Sequence, residues 1–198
     1  MRLVRYGPLG EERPGMLDRD GGLRDLSYVL IDLGPEHLGP DDLDILRSIE
    51  PETLPPVEGL PRLAFPLARH GRIFLDGRPC DSLKLHGPAT RPPEGAPPRL
   101  GLAAAVGAPG WAGAFMSVRV TSNDAWAALG PWLTAPERPP RLDRLTADGA
   151  RLRFAAEARA HPLGAYPIAA QGDIIIVTAD SLGGGALGID GFGRQIGS

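Results

Sequence analysis

The apolar runs of this chain are strand-length, and that limits its fold more than any other feature. "RLGLAAAVG" (99–107) and "GDIIIVTAD" (172–180) are continuous enough to read as buried strands, and no run approaches a membrane span. Between such runs the chain is punctuated by turn formers, with 27 glycines and 22 prolines among 198 residues. A chain of this length buries enough apolar surface to fold without covalent staples, and the pattern predicts a turn-rich, mainly β (α+β) protein. "RLVRY" (2–6) alternates as a strand. "MLDRDGGLRDLS" (16–27) reads as two short strands, with Asp20-Gly21-Gly22 supplying the positive-φ turn. "GPDDLDILRSIEPETLP" (39–55) reads as a short helix. Asp41 or Asp42 would cap it, Leu43, Ile45, Leu46 and Ile49 would share its buried face, and Pro51 would stop it. Further strands are expected at "RIFLDG" (72–77), "SLKLH" (82–86) and "FMSVRVTSND" (115–124), where Phe115, Ser117, Arg119 and Thr121 oppose Met116, Val118 and Val120. A hairpin is expected over 141–160, turning at Asp148-Gly149.

Charge and cysteine usage exclude several classes. The net charge of −3 carries no basic footprint for nucleic acid. The single cysteine, Cys80, rules out an internal disulfide and a multi-cysteine metal site. With no signal-like N-terminus and no membrane-length run, a cytoplasmic protein without a membrane partner is expected. The glycine-rich "SLGGGALGIDGFGRQIG" (181–197) lacks the strand–GxGxxG–helix setting of a dinucleotide site and reads as a tight turn between strands.

Taken in order, several segments resemble the fumarylacetoacetate hydrolase (FAH) family. Residues 1–62 resemble its small N-terminal α/β module, and 63–198 a shortened form of its β-roll domain. "GRIFLDG" is similar to the strand that opens that domain, "RLGLAAAVG" to its glutamate-x-glutamate strand, and "VTSND" to its strand ending in Asn-Asp. "LGPWLTAPE" is similar to its Gly-Pro-Trp segment, and "GDIIIVTADSLGGGA" and "LGIDGFGRQIG" to its last strands. The resemblance implies a mixed β-roll, usually a homodimer, and metal-assisted chemistry on small 1,3-dicarbonyl or 2-oxo acid molecules. In that chemistry carboxylates hold a divalent ion that stabilises an enolate while a histidine moves protons.

The departures from the family pattern bear directly on that chemistry. The resemblance puts Arg99 and Gly101 where the two glutamates belong, and neither side chain ligates a hard cation. Asp124 alone keeps the acidic pattern, the histidine position falls near Leu83 with His86 shifted from it, and a polar segment is missing between Asp124 and Gly130. The expectation is therefore an enzyme without metal or other cofactor. It would act on an enolisable, largely apolar small molecule as an isomerase, cyclase or C–C lyase in a specialised biosynthetic pathway. Two rivals stand beside it: a non-catalytic binding or assembly partner, and a metal hydrolase or decarboxylase with ligands relocated to Asp76, Asp81, Glu94 and Asp124.

The candidate catalytic residues are Asp124, His86, Arg99 and Lys84; the candidate substrate-binding residues are Asn123, Trp126, Trp132 and Asp81. Asp124 is either a surviving acid–base group or a cap for "AWAAL". Asn123 either orients a carbonyl or satisfies a turn. Arg99 either takes over the lost cation's charge or points to water. Lys84, the one lysine among 21 basic residues, and His86 share a strand face and would carry charge and protons. Cys80 reads as buried filler, and His37, His70 and His161 as surface positions. Trp111, Trp126 and Trp132 either fill the core or wall an apolar pocket.

Overall fold

A computed structural model describes residues 1–95, 99–109, 112–135 and 169–178 in full, and residues 98, 111, 145–148 and 151–154 as backbone. Trp111's side chain, His161, the turn at Asp148-Gly149 and the glycine-rich segment 181–197 lie outside the described residues. The strands are β1 (Arg2–Tyr6), β2 (Arg13–Leu17), β3 (Leu23–Asp25), β4 (Ile73–Leu75), β5 (Arg78–Pro79), β6 (Lys84–His86), β7 (Pro98–Ala108), β8 (Trp111–Thr121), β9 (Trp126–Leu129), β10 (Leu133–Thr134), β11 (Leu145–Asp148), β12 (Arg151–Phe154) and β13 (Ile174–Thr178). One α-helix, α1 (Pro40–Arg47), and 3-10 turns at Pro35–Leu38 and Pro51–Thr53 complete the described elements. The mainly β expectation holds.

Eleven of the strands form one sheet in the order β3-β2-β1-β10-β8-β7-β13-β4-β5, with β9 on β8 and β6 on β9. Its spine is the β7–β8 hairpin, running from Pro98 opposite Thr121 to Ala108 opposite Trp111. β13, buried on both faces, lies antiparallel along β7 and parallel along β4. That is why "DIIIV" and "LAAAV" are continuous apolar runs: residues facing either way are buried. One face, carrying Ala103, Ala105, Met116, Val118, Val120, Ile174 and Ile176, belongs to the main core with Leu3, Met16, Leu38 and Leu43. The other face carries Leu102, Ala104, Phe115, Ile175 and Val177 with Phe74. The split expected for β8 is the one observed.

The N-terminal unit is welded to this spine. β1 pairs with β10, and β10 with β8, so the sheet runs without a break from residues 1–62 into the β7–β8 hairpin. Arg5 clamps Asp32 with two hydrogen bonds of 2.7 and 2.9 Å and donates to the carbonyls of Phe65 and Leu67. The turn Pro35–Leu38 presses on the hairpin so closely that a Cβ at Gly107 would lie 1.8 Å from the Leu38 carbonyl oxygen.

Three local expectations are corrected. Gly39, not Asp41 or Asp42, is the helix N-cap, because Pro40 occupies the first helical position and moves both aspartates into the first turn. Ile45 points outward at 60% exposure while Leu43 and Leu46 are buried; two residues on a helix differ by about 200°. In the β2–β3 turn only Gly21 has positive φ, +87°.

Candidate functional site

The sheet sorts the candidate residues onto two faces. Paired residues on neighbouring strands share a face, and successive residues alternate. Arg99 pairs with Val120 and Gly101 with Val118, so both lie on the main-core face. Arg119 pairs with Leu100 and with Ala128, and Ala128 with His86, so Arg119, Trp126, Lys84 and His86 share the opposite face.

On the first face the central contact is an ion pair. β8 ends at Thr121 and a tight turn carries the chain straight into β9, with Asp124 at φ +53° and its amide donating to the Thr121 carbonyl at 2.9 Å. Asp adopts this left-handed conformation more readily than most residues. There the Arg99 guanidinium donates to Asp124 Oδ1. "AWAAL" is a strand rather than a helix, so Asp124 has no helix to cap. Asn123 turns inward on its own loop, its Oδ1 accepting from the Thr121 hydroxyl at 2.7 Å. Cys80 Sγ lies 3.9 Å from the Asp124 carbonyl oxygen, a weak contact. Nearby Asp76 accepts from the Thr178 amide and hydroxyl, both at 2.8 Å, which fastens the β4–β5 turn to the end of β13.

Gly101 faces Thr178 across the β7–β13 ladder. A Cβ at this position would lie 2.5 Å from the Val177 carbonyl oxygen and 3.2 Å from Thr178 Cα, both backbone atoms. The position is closed to any side chain.

On the opposite face His86 stacks on Trp126, with ring centroids 5.7 Å apart and planes at 24°, and the Arg119 guanidinium carbon lies 6.0 Å from the centre of the Trp126 ring. Lys84 is exposed at the start of β6, two residues from His86. Arg119 donates through Nη2 to the Pro88 carbonyl at 2.8 Å and to that of Thr90 at 3.4 Å. Beside it opens a cavity of about 410 Å³, lined by Pro88, Leu100, Ser117, Arg119, Ala128 and Gly130 among others. Pattern reasoning placed Arg119 on the right face and gave it no role, because neither its partner carbonyls nor the cavity is a local feature. Trp132 stands away from both groups, beside Arg2, and Asp81 is exposed on the turn before β6.

Solved structures share this architecture. Maleylpyruvate hydrolase from Sphingobium sp. SYK-6 superposes with a TM-score of 0.59 over 91% of this chain and 90% of its own, at 17% identity. Fumarylacetoacetate hydrolase from Exiguobacterium antarcticum gives 0.55 over 90% and 86%, at 14% identity. A 2-keto-3-deoxy-D-arabinonate dehydratase complexed with magnesium and 2,5-dioxopentanoate gives 0.53 over 89% and 87%, at 13% identity. The chain has the fold of the fumarylacetoacetate hydrolase family. At the sequence level, proteins of Burkholderia ambifaria and Burkholderia multivorans with provisional hydrolase names are 49% and 47% identical over 74 residues. That stretch is 37% of this chain and 26% of each relative, so the chain matches about a quarter of their length. No family model matches.

On this FAH fold the described residues do not fit the divalent ion that the resemblance implies. At the two positions where the resemblance puts glutamates, Arg99 is a cation and Gly101 has no room for a side chain, and Asp124 is engaged by a guanidinium. The relocated set fares no better: Asp76 is committed to Thr178, Asp81 is exposed, and no group of three or more His, Cys, Asp or Glu side chains among the described residues could hold a metal. Mg²⁺ gives up its hydration shell reluctantly, and a single carboxylate does not compete with water for it. No described helix is long and apolar enough to cross a membrane.

Proposed function

We propose that the chain is a FAH-fold enzyme that works without a resident metal on an enolisable, largely apolar small molecule, in an isomerisation, cyclisation or C–C bond step. The observation that carries this reading is the Arg99–Asp124 pair. It puts one fixed positive charge and one proton acceptor together where the resemblance puts a metal centre.

The pair is easily exchanged. Arg99 and Asp124 are 27% and 46% exposed, and ion pairs that wet contribute about 1 kcal/mol or less. A substrate oxygen that develops negative charge therefore competes well for the guanidinium, which is planar, permanently charged and suited to a bidentate carboxylate or enolate. When Arg99 turns to the substrate, the Asp124 carboxylate is released to take the proton from the activated carbon. General base catalysis of this kind supplies roughly 10²–10⁴ in rate. The apolar surroundings of β7 and β8 strengthen both interactions once a ligand excludes water. A homodimer is the setting the resemblance implies.

The second reading, a non-catalytic binding partner, draws on the same contact, because a carboxylate held by arginine is a weaker base while the pair stays closed. The two separate on one assay. Acetylpyruvate is at once a 1,3-dicarbonyl and a 2-oxo acid, and incorporation of deuterium at its central carbon in D₂O is followed by proton NMR. The enzyme reading expects exchange above the buffer rate that falls at least tenfold in both Asp124→Asn and Arg99→Met, with the circular dichroism of the fold unchanged. Binding of acetylpyruvate without exchange supports the second reading. Stoichiometric Mg, Mn or Ca in protein purified without chelators overturns the metal-free reading.

A further inference from the structure

The Arg119 cavity lies on the opposite face of the sheet from Arg99 and Asp124, and the way β8 shares its edge creates it. Along one edge β8 pairs with two different strands: Phe115 faces Thr134 of β10, whereas Val118–Val120 face Ala127–Leu129 of β9. The chain crosses from β9 to β10 through Gly130, Pro131 and Trp132, leaving a notch in the sheet face. Paired contacts between the two walls hold the notch open. Gly130 donates to the Ser117 carbonyl at 3.1 Å, and the Ser117 hydroxyl donates to the Gly130 carbonyl. Pro88 packs on Gly130, close enough that a Cβ there would meet its ring at 3.3 Å.

The chemistry of the notch is lopsided. Its walls are mostly apolar, from Pro88, Leu100, Ala128 and Pro131, and among the described residues its charged lining residue is Arg119, half-buried in β8. Among the described residues Arg119 forms no ion pair, and its hydrogen bonds, both through Nη2, go to the carbonyls of Pro88 and Thr90. Those two bonds fix the guanidinium plane while Nε and Nη1 keep their donors. Among the described residues the other titratable groups on this face of β6 to β9 are Lys84 and His86, and no acidic residue of these strands occupies it. With carbonyl oxygens and an aromatic face as its described partners, Arg119 keeps its full positive charge for a ligand anion. The cavity volume lies within the range of small-ligand sites, and its composition, apolar walls with one oriented polar group, is theirs as well.

We propose that this cavity binds a compact apolar carboxylate, its anionic end on the Arg119 guanidinium and its body against Pro88, Leu100, Ala128 and Pro131. The site requires neither metal nor any group of the Arg99–Asp124 face.

Benzoate and its neutral isostere benzamide are the probes. Titration of the ¹⁵N-labelled protein is read at the Arg119 Nε–H resonance and at the amides of β8 and of residues 128–131. Benzoate is expected to shift these signals saturably, with benzamide at least tenfold weaker. Arg119→Gln is expected to lower benzoate affinity at least tenfold, and Arg119→Lys to fall between, since it keeps the charge and loses the planar, oriented donors. Equal binding of benzamide, or benzoate shifts confined to residues near Arg99, overturns the proposal. If Arg119→Gln does not fold, the wild-type comparison of benzoate with benzamide decides alone, and a saturable shift of Arg119 Nε–H by benzoate only is the supporting result.

Discussion

Replacing Gly101 by alanine isolates a close approach between β7 and β13. Glycine to alanine in a strand ordinarily stabilises, by roughly 0.5–1 kcal/mol, because alanine loses less backbone freedom on folding. Here the added methyl would lie 2.5 Å from the Val177 carbonyl oxygen, 3.1 Å from Val118 Cγ1 and 3.2 Å from Thr178 Cα. Ordinary contact begins near 3.4 Å, so the neighbours must withdraw by about 0.9 Å at the worst point. Val118 can rotate, but the Val177 carbonyl and Thr178 Cα are main chain, and they move only if β13 separates from β7. Overpacking of a filled interior costs about 1–3 kcal/mol, and a backbone obstruction belongs in the upper half of that range. A loss of about 2–3 kcal/mol corresponds to roughly 4–12 °C in Tm for a chain of this size. Thermal and urea unfolding followed by far-ultraviolet circular dichroism reads it directly. A Tm for Gly101→Ala equal to or above that of the wild type would refute the close approach, since the sign itself is reversed from the usual case. The same obstruction opposes Gly101→Glu.

Two further outcomes concern titration in the N-terminal unit. Burial, reinforced by the charge and hydrogen bond of Asp25, pushes the Tyr6 phenol up to about 12. The folded state therefore keeps a proton that the unfolded chain loses near 10; this contribution to stability is complete below pH 10 and is lost as pH rises from about 10 to 12. Absorbance titration of tyrosinate is expected to show a late step that Tyr6→Phe removes. The Asp18 carboxylate is held below its ordinary range, first by the Arg24 guanidinium at 2.9 Å and then by the amides of Gly22 and Asp20, which outweigh burial. Its contribution is present above about pH 4 and is lost as pH falls through the depressed value. Acid unfolding of Asp18→Asn is expected to be shallower than that of the wild type, and identical acid profiles would count against this carboxylate as the group responsible.

Local signals were enough for the strands and for which residues share a face. Alternation and continuous apolar runs reflect one strand's own exposure, so "FMSVRVTSND" and "GDIIIV" could be read without knowing their neighbours. The same local reading failed at Gly39 and Ile45, where helix start and rotation depend on Pro40 occupying the first turn. The resemblance along the chain anticipated the fold.

Everything about the site that depends on distance waited for the tertiary structure. Arg99 and Asp124 are 25 residues apart, and only the tight β8–β9 turn beside the end of β7 brings a guanidinium to that carboxylate. Lys84 and His86 read equally well as partners of Asp124 until β6 docks parallel to β9 and turns them to the other face with Arg119. Side-chain direction along a strand is a local property with a period of two. Which strand lies alongside, and therefore which charges meet, is decided by non-local hydrogen bonding and packing.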